Sequence, residues 1–388
     1  MKTSRRAFFL ALLLIPILLA DGKDKNKPPA PAKKDFFAFV GTYTAKTQSK
    51  GIYAFRYDAG SGKLTALGVA AETPDPSFVA IHPSGKYLYA VNESGKSSMV
   101  TSFALDAKTG KLTQLNQVPS LGEDPCYIAF DQTGKYILVA NYSSGTLAVF
   151  PILEDGKIGE KAALIQDSGT LGPNKERQEG PHAHWIETSA DNRFALAADL
   201  GLDEILIFQF DAAKGTLGPH MPPSAGLKPG SGPRHAAFSP NGKFLFVVSE
   251  LSSTATSFSF DAKKGTLKQV NSLSTLPPEF SGRNDVAEVA VHPSGKFLYV
   301  SNRGMDSIAV FGIDAKSGRL TQTGGVPTGG KEPRHFALDP AGNFMFVENQ
   351  LSDTVVVFHV DANSGQLTPT GDTLSVPSPV CLKFVPAQ

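Results

Sequence analysis

From residue 35 onward the chain alternates short aromatic and β-branched runs with polar clusters rich in Gly, Pro, Ser and Asn. Runs of this kind suit pleated, half-buried strands, and frequent turns between them predict an all-β fold. The alternation also repeats. Each unit starts near Pro, passes through an apolar strand, turns at a Pro-x-Gly-Lys-like segment and enters a second apolar strand. A polar connection follows, then a third strand ending in Asp, then a Gly-containing turn before Leu. The first copy reads Pro76-Ser-Phe-Val-Ala-Ile-His-Pro-Ser-Gly-Lys-Tyr-Leu-Tyr-Ala-Val-Asn, followed by Phe103-Ala-Leu-Asp106 and Thr109-Gly110-Lys111-Leu112. Later copies begin at Pro125, near Pro181, at Pro233, near Val286 and at Pro333.

The hairpin turns of the six copies, at Gly85, Gly134, Asn192, Gly242, Gly295 and Gly342, are spaced by 49, 58, 50, 53 and 47 residues. A period near 50 with four short strands per unit predicts a β-propeller. Residues 379–386 read as a first strand with nothing after it, and residues 36–67 as later strands with no first strand before them. Joined, they make a seventh blade that closes the ring and hides its edges. The expected architecture is a seven-bladed propeller of four-stranded blades over residues 35–388, one domain rather than the two or three that length alone suggests.

The first 34 residues do not share the pattern. Lys2, Arg5 and Arg6 precede an apolar run from Ala7 to Ala20, which reads as a signal peptide over residues 1–20. Ser4-Arg-Arg-Ala-Phe-Phe-Leu is similar to the twin-arginine export signal. Residues 21–34 form a Lys-, Pro- and Ala-rich tether. A mature protein outside the cytoplasm, periplasmic or extracellular, is expected, with no stable membrane span after cleavage; without a working leader it would stay cytoplasmic. Once leader and tether are set aside, the net charge falls from +1 to −5. A mildly acidic ring lacks the basic patch that nucleic acid requires. Cys126 and Cys381 fall in different blades, too far apart to be expected to bond.

Strand register then gathers candidate chemistry. Eight residues before each hairpin turn stand Ser77, Cys126, His184, Arg234, Ala287 and Arg334; eight after stand Glu93, Tyr142, Leu200, Glu250, Arg303 and Gln350. Mirror positions about a hairpin lie at the same rim, so these groups should converge on one mouth of the central channel, with the turns and their His82 and His292 at the other. Charged side chains of both signs are costly to dehydrate unless something uses them. Arginines offer bidentate donors for an anion, a Glu can act as base and a His can exchange protons near neutral pH. His182 and His184 have a spacing that suits a metal, but arginine neighbours would repel a cation, so neither metal nor cofactor is expected. The histidines of Arg234-His235 and Arg334-His335 should face away from their arginines and serve structure.

These residues also carry a resemblance. Phe39-Val-Gly-Thr-Tyr-Thr, Tyr89-Ala-Val-Asn-Glu, Gly180-Pro-His-Ala-His, Gly232-Pro-Arg-His, Ser301-Asn-Arg-Gly and Lys331-Glu-Pro-Arg-His-Phe resemble the seven-bladed propeller lactonases, which include 6-phosphogluconolactonases and carboxymuconate cyclases. The resemblance spans residues 36–386. It implies a metal-independent site with His184, Glu250, Arg234 and Arg303 at the family's catalytic or substrate-binding positions; these four are expected to be catalytic, and His182, Arg334, Glu93 and Asn302 to bind substrate. Hydrolysis of a small anionic sugar-acid lactone or related organic acid by a monomer is the expected activity, with Glu250 as base, His184 as proton donor and the arginines on the anion. Lactone formation from a muconate would use the same residues. Tyr299-Val-Ser-Asn-Arg also resembles repeats of non-catalytic surface propellers, yet the rim differs in nearly every copy, which favours one small-molecule site.

Overall fold

The computed structural model describes residues 35–387; the expected leader and tether lie outside them. The described residues form 28 strands in seven antiparallel four-stranded sheets. Blades 1 to 6 span residues 79–119, 125–166, 183–226, 233–274, 285–327 and 333–375. Blade 7 pairs Pro379–Pro386 with Asp35–Thr42, from Phe36 opposite Pro386 to Gly41 opposite Cys381, and closes the ring as the sequence predicts. First strands of successive blades pack around the axis. Both cysteines are buried and unbridged.

One packing device joins every blade to the one before it. The third strand ends in a tight turn whose Gly donates its N–H to an Asp carbonyl in six blades, as in Gly215 to Asp211 at 2.7 Å, and to the Leu153 carbonyl from Gly156 in the other. Gly215 has φ +70°, and a Cβ there would lie 2.2 Å from the ring of Tyr136 in the preceding blade. The same juxtaposition recurs around the ring, with Gly62 on Phe344, Gly110 on Phe37, Gly156 on Tyr87, Gly265 on Phe194, Gly318 on Phe244 and Gly365 on Phe297. Only a glycine permits this approach, and the ring it covers is an aromatic that opens the next-inner strand of the neighbouring blade. At the hairpin-turn rim, His82 Nε2 and His292 Nε2 each lie 2.9 Å from the turn carbonyl of the following blade, Gly134 and Gly342. Burying each large side chain at these interfaces is worth roughly 1.5–3 kcal/mol.

Candidate active site

At the opposite mouth, the first strands are irregular. Register shifts fall between Pro125 and Tyr127, Ala183 and Trp185, Pro233 and Ala236, Val286 and Val289, and Pro333 and His335. Each shift marks a β-bulge holding Cys126, His184, Arg234 with His235, Ala287 with Glu288, or Arg334. Mirror symmetry about the turn finds the right rim but not the pairing: Ile128 faces Val139, one residue short of the mirror position, and beyond the bulge Pro125 faces Asn141, two short. A bulge re-aims a side chain, which is how an inner strand presents charge to the axis while its neighbours stay in the blade core.

The bulged residues and the ends of the second strands surround a cavity of ≈ 410 Å³ lined by Glu93, Cys126, Tyr142, Arg177, His184, Glu250, Arg283, Asp285, Arg303, Glu332 and Arg334. Glu250 is its centre. Arg234 Nε and Arg303 Nη2 each form an ion pair with its Oε2 at 2.9 Å, and its Oε1 accepts a hydrogen bond from Arg177 Nη2 at 2.5 Å. Arg234 is anchored by Nη1 on the Ala287 carbonyl at 2.9 Å, and Arg303 by Nη2 on the Val286 carbonyl at 3.3 Å. Burial alone would push the Glu250 carboxyl up, but Arg303, Arg234, His184 and Arg177 together hold it well below the usual carboxylate range. Burial, reinforced by Arg303 and Arg334, brings the Arg234 guanidinium down to about 10, still a cation at neutral pH.

His184 lies in the same field with the opposite response. Burial, then the charges of Arg234 and His235, hold its pKa well below the usual imidazole value, so the ring is neutral at neutral pH. Its Nδ1 is 3.4 Å from the Cys126 thiol, and the Tyr142 ring stands edge-on at 5.4 Å. No hydrogen bond to its Nε2 is found among the described residues. Burial also raises the Cys126 thiol far above the range in which it would ionise. On the far wall Arg334 Nη2 donates to Tyr43 Oη at 2.9 Å and Tyr43 Oη donates to Glu93 at 2.7 Å, while burial raises the Glu93 carboxyl.

Six of the eight sequence-predicted residues meet here: His184, Glu250, Arg234, Arg303, Arg334 and Glu93. Two do not. Asn302 is wholly buried, with Oδ1 accepting from Thr275 Oγ1 at 2.7 Å and Nδ2 reaching Ser307 Oγ at 3.3 Å. It occupies the same repeat position as Asn92, Asn141 and Asn349, whose amides brace loops in other blades, so it belongs to the scaffold. His182 stacks on Tyr142 with ring centroids 4.5 Å apart, and its Nδ1 lies 3.0 Å from the Tyr142 carbonyl. It supports a wall of the cavity without lining it. His235 departs from expectation the other way. The bulge brings it to the axis beside its arginine, with the rings of Phe78, Tyr127 and His184, from three other blades, at 5.8, 5.1 and 5.0 Å. Arg177 was not anticipated. It sits in the insertion over residues 167–182 that makes the second repeat interval, Gly134 to Asn192, the longest, and that extra length was the available signal.

A family model described as "Lactonase, 7-bladed beta-propeller" matches residues 37–384. The chain belongs to this lactonase family. It is 34% identical over 351 residues to the 6-phosphogluconolactonase of Bacillus subtilis, covering 90% of this chain and 98% of that one. The periplasmic gluconolactonase PpgL of Pseudomonas aeruginosa superposes with a TM-score of 0.86 at 32% identity, over 91% of this chain and all of its own. A solved protein from Lactobacillus plantarum gives 0.83 at 33%, over 90% and 99%. Family and relatives support a lactonase enzyme. Four arginines line this cavity, Arg177, Arg283, Arg303 and Arg334, and face four carboxyl groups, Glu93, Glu250, Asp285 and Glu332, with Arg234 buried behind Glu250. The mouth is thus less basic than its arginine content suggests. Among the described residues no group of three or more His, Cys, Asp and Glu is placed to hold a metal ion.

Proposed function

We propose that this mouth hydrolyses a sugar-acid lactone by metal-independent acid–base chemistry, with an unphosphorylated lactone as the physiological substrate. The observation that carries this reading is a neutral imidazole beside two buried guanidiniums already fixed on a carboxylate. The electrostatics favour reversing the roles expected from residue type. Glu250, held ionised by three arginines, is a weak base; its work is to keep Arg234 and Arg303 aligned. His184 accepts the proton of an attacking water and returns it to the ring oxygen as the ester bond breaks. The guanidiniums stabilise the negative charge that develops on the carbonyl oxygen, and arrive already oriented. Arg177, the most exposed of the three partners of Glu250, can turn to the carboxylate of the product.

Preference for an unphosphorylated lactone rests on the near balance of charge in the cavity and on the export signal read at the N-terminus. PpgL, described as periplasmic, supports an extracytoplasmic setting. The test is ring opening of glucono- and 6-phosphoglucono-lactone by the wild type and by Glu250→Gln. The wild type should cleave gluconolactone at least as well as its phosphate ester, and Glu250→Gln should lose about a hundredfold or more. Equal rates in the two proteins would remove Glu250 from the mechanism, and no turnover of either lactone would overturn the reading.

A further inference from the structure

Below the cavity the channel is not filled with apolar side chains. His235 Nδ1 lies 2.9 Å from Glu288 Oε2, and His335 Nε2 lies 3.7 Å from the same oxygen. His335 Nδ1 in turn meets Glu348 Oε2 at 2.7 Å. These groups come from the bulges of blades 4 and 5 and the first hairpin of blade 6, and all are at least nine-tenths buried. Glu288 and His335 line a second cavity of ≈ 570 Å³ with Tyr127, Glu187 and Lys383, among Pro240, Pro293 and Pro340 of the hairpin turns. That is the opposite mouth of the channel.

The proton inventory of this column is self-consistent. Burial holds His235 well below the usual imidazole value and brings His335 down to about 3, so both are neutral. Burial raises Glu348 well above the usual carboxylate range, so it keeps its proton and donates to His335 Nδ1. His335 then carries its proton on Nε2, facing Glu288 Oε2 at 3.7 Å, and that oxygen accepts a hydrogen bond from His235 Nδ1 at 2.9 Å. The other nitrogen of His235, Nε2, is buried without a partner and points away from Glu288. The ring next to it is His184, edge-to-face with ring centroids 5.0 Å apart. Around His235 stand Arg234, Arg334 and Glu250 on the cavity side and Lys383 on the other.

We propose that His235 and Glu288 form a proton exit that joins His184 to the far mouth of the channel. The inference rests on lactone hydrolysis as the reaction. Water adds its oxygen to the carbonyl carbon, the ring C–O bond breaks, one proton goes to the leaving oxygen, and the new carboxylic acid releases one proton at neutral pH. While the product occupies the cavity, that proton has no open route through the mouth, whose wall carries four arginines. It passes from His184 to Nε2 of His235, while Nδ1 gives its own proton to Glu288, which delivers it to solvent in the far cavity. His335 and Glu348 are positioning residues that hold Glu288 in place.

The experiment compares gluconolactone hydrolysis by wild type, His235→Gln, Glu288→Gln and Glu288→Asp at low and high imidazole concentration. At low imidazole kcat of His235→Gln and Glu288→Gln should fall about tenfold with KM unchanged, and imidazole should restore it. Glu288→Asp, which keeps a titratable oxygen, should stay near wild type, itself indifferent to imidazole. Wild-type rates in both Gln variants at low imidazole would overturn the exit, as would a loss that neither imidazole nor Asp repairs. If the wild type opens no lactone, the functional reading fails, and the path is judged by the nitrogen NMR shifts of His235 in the free protein. A proton on Nδ1 agrees with donation to Glu288; a proton fixed on Nε2 overturns the path.

Discussion

The outer Gly turns and the cavity mouth are built by opposite rules. Around the ring, seven glycines cover seven aromatic rings of neighbouring blades with the same geometry. At the mouth, the equivalent positions of successive blades carry Ser77, Cys126, His184, Arg234, Ala287 and Arg334, and no two adjacent blades agree. Repetition closes the ring and supplies stability; departure from it supplies chemistry. Asn302 illustrates the rule from the inside, because it is adjacent to Arg303 yet repeats from blade to blade and braces loops.

The sharpest way to break this comparison is to substitute the unrepeated side. His184→Asn should lower kcat for gluconolactone by about 10²- to 10⁴-fold while leaving the thermal midpoint near wild type, measured by steady-state kinetics beside calorimetry. The converse substitution acts on the repeated side. Gly215→Ala forces a Cβ against Tyr136 at positive φ and should cost about 2–4 kcal/mol in urea unfolding, with activity per folded molecule unchanged. A Gly215→Ala protein as stable as wild type would mean that the inter-blade contact yields without cost.

A smaller effect of the opposite sign is expected beneath the insertion that carries Arg177. Asp167 and Asp199 are buried against each other, and burial together with the neighbouring carboxyl raises Asp167, so the two share a proton. A raised folded-state pKa means that the folded protein holds more protons than the unfolded chain above the ordinary aspartate value of about 3.9, so this pair makes stability fall as pH rises. Asp167→Asn supplies an N–H where the shared proton was and should stabilise by about 1–2 kcal/mol at neutral pH, with a flatter decline toward alkaline pH. An unchanged melting curve would show that the pair is not under strain. The smallest effect belongs to the exposed edge of the site: Arg177→Ala should raise KM severalfold with little change in kcat, since Arg234 and Arg303 continue to hold Glu250.

The ring was legible in the sequence because it depends on spacing, which the repeat reports directly, and the same spacing brought six of the eight candidate residues to one mouth. Which residues touch was not. A bulge adds one residue to a strand without disturbing the repeat, so His235 was expected to face away from Arg234 and instead shares the channel with it. Pairing across blades was equally hidden: Glu288 with His235 and Arg177 with Glu250 join residues 53 and 73 apart. The proposed reversal of proton roles between Glu250 and His184 was beyond the reach of residue type, because it rests on three guanidiniums that assemble only in the folded ring.

The most direct test of this account is the pH dependence of kcat/KM for gluconolactone in wild type, Glu250→Gln and His184→Gln. Wild type should keep its activity as pH falls through the ordinary imidazole value of about 6.5 and lose it only further down, since His184 stays neutral there. The acidic limb should persist in Glu250→Gln at a lower rate and disappear in His184→Gln. A limb that survives loss of His184, or that vanishes with Glu250 instead, would contradict the assignment of His184 as the base.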